Sequence, residues 1–238
     1  EVQKRPDSRL KFNLELSDQQ QTWALFGPTD PVGPDYPTTE WRAGEVWRKT
    51  YEGTVPPDVP TGTYYIQGYL TNEDGRIVGD VAIIGKVSIA GRPRIFDVPQ
   101  IENVLEVNFE DKIKLWGYDM ELNEGESGRI LNITLYWQAL SLTEVSYTFF
   151  VHVLDSSGIV LAQVDSIPGA GSLPTTGWMP GEVIIDKATF TLGADLTPAN
   201  YPVEVGWYNA ATGQRLLIFD DAGNPVGDHV FLQPVEIK

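Results

Sequence analysis

Ten residues, Pro37-Thr-Thr-Glu-Trp-Arg-Ala-Gly-Glu-Val46, return as Pro174-Thr-Thr-Gly-Trp-Met-Pro-Gly-Glu-Val183, 137 positions later. A repeat of this kind means one structural unit written twice, and it constrains the fold before any local propensity does. At the same offset Phe12 lies over Phe149, Asp18 over Asp155, Asp58 over Asp195 and Tyr64 over Tyr201. One extra residue in the second copy then sets Gly68 over Gly206 and Gly75 over Gly213. A ten-residue insertion near Ile218 to Gly227 brings Asp80–Ile89 over Asp228–Ile237.

The local pattern within each copy is that of strands. Leu131, Ile133, Leu135 and Trp137 alternate with Asn132, Thr134, Tyr136 and Gln138. That two-residue period fits a sheet with one buried face. Glu73-Asp-Gly75, Asp155-Ser-Ser-Gly158, Ala211-Thr-Gly213 and Asp221-Ala-Gly223 supply hairpin turns, with Gly where φ turns positive. The expected fold class is all-β: two tandem immunoglobulin-like antiparallel β-sandwiches, residues 1–97 and 98–238, joined by the proline-bearing stretch Ala90 to Gln100.

The copies are unequal. Strand patterns at Val104–Phe109, Lys112–Leu122 and Ile130–Leu140 precede Phe149, but at the repeat offset Glu1 already falls on Gln138. The first sandwich therefore lacks the opening strands of the second. The module is cut, or residues 1–10 fold differently, or a neighbouring chain supplies the strands.

Charge narrows the partners. The 238 residues carry a formal net charge of −16, which disfavours nucleic acid and anionic membrane surfaces. No apolar run approaches the length of a bilayer-spanning helix. The chain has no Cys, so disulfides and thiolate metal sites are out.

Trp41, Gly44, Glu45 and their counterparts Trp178, Gly181 and Glu182 occur in both copies. Repetition argues for packing, with each indole N–H bonded to a loop carbonyl. The two histidines, His152 and His229, lie in different strand patterns and do not recur; they read as ordinary strand residues. Asp186, Glu204, Asp220 and Asp221 have no spacing that marks a carboxylate pair for glycoside hydrolysis. Asp220, Asp221 and Asn224 are the best candidates for a calcium loop, since calcium wants several loop oxygens; no other cofactor is expected. Tyr36, Trp47, Tyr65 and Tyr69 are candidates for an exposed aromatic row that contacts sugar or a protein partner. Asn132-Ile-Thr134 is a glycosylation pattern lying in mid-strand.

Four runs carry a family resemblance: Leu135-Tyr-Trp-Gln-Ala-Leu140, Tyr147-Thr-Phe-Phe-Val-His-Val-Leu-Asp155, Pro174 to Val183, and Gly206-Trp-Tyr-Asn-Ala-Ala-Thr-Gly213. Together they resemble the β-sandwich appendage at the ends of large bacterial surface and membrane proteins, including glycosyltransferase-like ones. The resemblance covers Val104 to Lys238 and, in shortened form, Phe12 to Ile89. It implies an extracytoplasmic, non-catalytic module and names no site. The expected role is structural assembly, through other protein chains or further copies, with carbohydrate binding as the alternative.

Overall fold

The computed structural model describes residues 2–125, 128–193, 195–220 and 222–238. The fold is all-β. Among the described residues the only helical elements are two 3-10 turns, Thr38–Glu40 and Thr175–Gly177. The chain divides into two compact units, residues 1–92 and 93–238. The division falls before Asp97 because Arg94 and Ile95 are fastened into unit 2. Arg94 donates to the Gly177 carbonyl at 3.0 Å and pairs with Glu182, and Ile95 bridges Val183.

Unit 1 holds one antiparallel sheet. Its strands are β1 (Lys11–Ser17), β2 (Thr22–Thr29), β3 (Gly62–Thr71) and β4 (Ile77–Ile89), in the order β2-β1-β3-β4. Its core is small: Leu16, Trp23, Val59 and Tyr64, with Leu25, Ile66, Val87 and Ile89 against it. Trp23 meets Tyr64 edge-on at 5.4 Å.

Unit 2 begins with β5 (Asn103–Phe109), β6 (Ile113–Gly125), β7 (Gly128–Ala139), β8 (Tyr147–Leu154) and β9 (Val160–Ser166). It continues with β10 (Val183–Leu192), β11 (Ala199–Tyr201), β12 (Val203–Asn209), β13 (Ile218–Phe219), β14 (Pro225–Gly227), β15 (His229–Phe231) and β16 (Val235–Ile237). One sheet runs β10-β7-β6-β5-β13-β14, a second β15-β12-β8-β9, and β11 pairs with β16. The two larger sheets share one core, which makes the unit sandwich-like. Trp137 of β7 meets Trp207 of β12 at 4.8 Å and lies 6.2 Å from Phe149 of β8. The clean alternation of β7 delivers Leu131, Ile133, Leu135 and Trp137 to this core, all fully buried.

Strand register shows how the units correspond. In unit 1, Phe12 pairs with Leu70 and Leu16 with Ile66; in unit 2, Phe149 pairs with Trp207 and Val153 with Val203. The offset of 137 therefore runs on through β3, and Gly68 corresponds to Val205 rather than Gly206. All of the extra length lies between the ends of β3 and β12 and the strands that come after them. Gly62↔Ile89 and Tyr64↔Val87 then correspond to Ala199↔Ile237 and Tyr201↔Val235. The insertion builds β13 and β14, which lie outside the β12 sheet; β13 pairs with β5 of the other sheet and β14 with β13. The sheet of unit 1 thus matches the β15-β12-β8-β9 sheet of unit 2 together with the β11–β16 pair.

Candidate functional site

The repeated motif is a backbone latch. Thr38 Oγ1 accepts from Leu10 N at 2.8 Å and donates to the Ser8 carbonyl at 3.1 Å. Thr175 Oγ1 accepts from Tyr147 N at 3.0 Å and donates to the Val145 carbonyl at 2.7 Å. Trp41 Nε1 donates to the Tyr36 carbonyl at 3.4 Å, and Trp178 Nε1 to the Leu173 carbonyl at 2.9 Å. The Glu45 carboxylate takes Arg42 N, and the Glu182 carboxylate takes Met179 N. Gly44 and Gly181 both turn with positive φ, 89° and 84°, which glycine adopts without strain. Each of these groups satisfies backbone or carboxylate valences, so the motif fixes a loop onto a strand end.

The same latch reaches one strand further. Ala139, the last residue of β7, receives the Gly181 N–H at 2.8 Å and donates to the Glu182 carbonyl at 2.9 Å. Val2 receives the Gly44 N–H at 2.8 Å and donates to the Glu45 carbonyl at 2.8 Å. Val2 therefore stands where β7 ends.

Beyond the latch the two units part. Val183–Leu192 forms β10 and pairs with β7 along its length, Val183↔Gln138 through Leu192↔Arg129. The corresponding residues 46–55 form no strand. Val46 is 72%, Trp47 45% and Val55 43% exposed, whereas Val183, Ile184 and Leu192 are each 2%. Part of the bared sheet is covered by Tyr51, whose ring lies 4.9 Å from Phe12 and 5.1 Å from Phe26. Beside it a cavity of about 280 Å³ is lined by Val2, Trp41, Trp47 and Leu70 among others. Their counterparts in unit 2 are Ala139, Trp178, Ile184 and Trp207; Ile184 pairs with Trp137, Trp207 packs against Trp137, and Trp178 packs against Trp207.

The four aromatic candidates separate into two pairs. Tyr36 and Trp47 meet at 4.9 Å with their rings tilted by 53°, and the Tyr36 hydroxyl donates to Glu45 at 3.1 Å. Tyr65 lies under Lys86 and the Tyr69 hydroxyl donates to Glu15 at 3.3 Å. Trp47 shares its cavity with Leu70, and alternation along β3 puts Tyr65 and Tyr69 on the other face. They do not form one row.

The Asp220 carboxylate accepts Ala222 N at 3.0 Å and Asn224 N at 2.8 Å, and those bonds hold it below the usual carboxylate range. It closes a turn on itself. Asp221 lies outside the described residues. Among the described residues no group of three His, Asp or Glu is placed to hold a metal. The remaining carboxylates do not converge. Asp186, on β10, accepts Gly169 N and Lys187 N, and burial raises it despite those bonds. Glu204 belongs to the other sheet.

His152, His229 and Glu204, weighed singly in the sequence, are brought together in one cluster. His152 on β8 and His229 on β15 both approach Glu204 on β12, with His152 Nδ1 at 2.8 Å from Oε1 and His229 Nε2 at 3.6 Å from Oε2. Asp165 stands 4.0 Å from His152, and Asp228 accepts from His229 Nδ1 at 2.7 Å. Burial opposes ionisation of Asp228, but its bonds to His229 and Arg215 hold its carboxyl below the ordinary range. The Arg215 guanidinium lies 4.3 Å over the Phe150 ring, itself stacked on His152 at 4.7 Å. The imidazoles are tied to carboxylates, and among the described residues neither bonds a serine or threonine hydroxyl. Through Glu204 the arrangement ties β8, β12 and β15 together, with Asp165 of β9 at its edge.

No protein-family description matches the chain, and no curated protein sequence matches it.

Proposed function

We propose that the chain is a non-catalytic structural module of the cell exterior, built as two tandem immunoglobulin-like sandwiches, whose first unit is finished by β-structure from outside residues 1–92. The observation that carries this is the exposure of Val46, Trp47 and Val55 at positions where unit 2 buries Val183, Ile184 and Leu192. Apolar side chains poised at a sheet position without a partner strand favour association, and strand addition satisfies both the side chains and the backbone.

Two features support the immunoglobulin-like reading. The sheet order β15-β12-β8-β9 facing β10-β7-β6 fits such a sandwich. Tyr64 and Tyr201 each donate to a carbonyl four residues upstream, Pro60 at 2.7 Å and Thr197 at 2.9 Å, the hydroxyl bond of a tyrosine corner. The partners are protein chains. The exterior location rests on the family resemblance, and among the described residues no helix is long and apolar enough to cross a membrane.

The chain has no cysteine, so Val46→Cys gives a single reporter. It reacts rapidly with a maleimide in the isolated chain and slowly in the native assembly; equal rates sink the proposal. Thr212→Cys, at an exposed turn, reacts with a membrane-impermeant maleimide on intact cells; if it does not, the exterior location is wrong.

A further inference from the structure

We infer that the outer face of the β15-β12-β8-β9 sheet in unit 2 binds a single neutral sugar ring, in the cavity between Tyr208, Asp165 and Arg215. The site is separate from the completion of unit 1 and does not depend on it.

The two units make the same strand pairings with different outward side chains. Unit 1 pairs Asn13 with Tyr69 and Glu15 with Gln67; at the matching places unit 2 pairs Phe150 with Gly206 and His152 with Glu204. Groups needed to build the module recur in both units, as the threonine latch does. The cluster around Phe150 occurs in unit 2 alone, so forming the sheet does not require it. Gly206 makes room for it: a Cβ there would meet the Phe150 ring at 2.5 Å.

A cavity of about 240 Å³ is lined by Phe150, His152, Asp165, Tyr208, Gly213 and Arg215. Sites for drug-sized ligands run to roughly 300–1,000 Å³, so this one suits one ring rather than a chain of them. Phe150 and Tyr208, 6.4 Å apart, give it an aromatic wall for the C–H face of a sugar.

The polar groups of the cavity are of both kinds. His152 Nδ1 lies 2.8 Å from the Glu204 carboxylate and so carries a proton, which makes Nε2 of the neutral ring an acceptor. Nε2 and Asp165 Oδ2 stand 4.0 Å apart, two acceptors with no direct bond between them. Arg215 brings donors: Asp228 takes one N–H at 3.3 Å of the five on a guanidinium. Burial and then the neighbouring Asp165 charge raise the Tyr208 hydroxyl above its ordinary value, so it stays protonated. A ligand here has to donate and accept at adjacent positions, which the neighbouring hydroxyls of a sugar do. An anion would satisfy Arg215 but confront Asp165, and a cation would do the reverse.

The test titrates the isotopically labelled full chain separately with glucose, galactose, mannose and N-acetylglucosamine and follows its amide resonances. At least one sugar gives saturable shifts centred on Tyr208, Gly213 and Arg215. Asp165→Asn weakens that binding by at least about tenfold, since it removes a charged acceptor, and Tyr208→Phe weakens it too. The dispersion of each variant's spectrum reports that unit 2 is folded; should Asp165→Asn lose the fold, Tyr208→Phe decides alone. No saturable shift with any of these sugars overturns the inference, as does binding that the folded variants leave unchanged. Inorganic phosphate and putrescine are titrated alongside. Saturable shifts at the same residues with either of them, and none with a sugar, assign the cavity to a charged ligand and overturn it as well.

Discussion

Ile84 and Leu232 sit one residue beyond the matched pairs Gln67↔Ile83 and Glu204↔Phe231, yet Ile84 is 60% exposed and Leu232 6%. The same sheet position is surface in one unit and core in the other. Leu232→Asp should cost unit 2 about 3 kcal/mol or more, because a charge is driven into an apolar core. Ile84→Asp should change unit 1 by less than about 0.5 kcal/mol. Urea denaturation of the two variants, with hydrogen exchange measured in each unit, checks the contrast.

The threonine latch gives a second expectation. Thr175→Val keeps the shape but strands the Tyr147 N–H and the Val145 carbonyl, both served by one hydroxyl. A loss of about 1–3 kcal/mol from unit 2 is expected. Thr175→Ser, which restores the hydroxyl, should recover most of it in the same denaturation experiment.

Acid should weaken unit 1 through Asp30. Hydrogen bonds from Arg9, at 2.8 and 2.7 Å, are the main force holding its carboxyl down to about 2, with Lys11 at 2.9 Å assisting against burial. An unfolded Asp titrates near 3.9. The folded state therefore binds fewer protons in this window, and the stabilisation is complete above about pH 4 and lost as pH falls toward 2. Thermal melts between pH 5 and 2 should show that loss, and Asp30→Asn should flatten it. A wild-type melt that is flat over this range contradicts the assignment.

Glu182 is fully buried and meets the Arg94 guanidinium. Arg94→Ala should cost unit 2 roughly 3 kcal/mol, since it removes the countercharge from a buried carboxylate. The double change Arg94→Ala with Glu182→Gln should cost less than Arg94→Ala alone. A double-mutant cycle in urea reads the difference.

The all-β class, the repeat and its first offset were legible from alternation and from the shared Pro-Thr-Thr motif. The alignment slipped at Gly68 and Gly206 because glycine identity carries no information about which face a residue occupies. A Cβ on Gly68 would meet the Phe12 ring at 3.2 Å, and one on Gly206 the Phe150 ring at 2.5 Å. Phe12 matches Phe149, which is next to Phe150 and on the other face, so the two glycines point opposite ways. The histidine cluster was hidden for a related reason. His152 and His229 meet Glu204 only through the β8–β12 and β12–β15 registers, and cross-strand neighbours leave no mark in a single strand's pattern. The aromatic candidates divided because Trp47 left the strand position its repeat partner holds.

The entry of the chain into unit 2 has a mechanical side. Next to Pro93 come Arg94, tied to Gly177 and Glu182, and Ile95, bridged to Val183. At the far end, β16 is tied to β11 by Ala199↔Ile237 through Tyr201↔Val235. Tension applied between the two ends of the unit loads these fastenings before it reaches Trp137 and Trp207. A module strung in series with others would bear force along its rim while its core stayed shut.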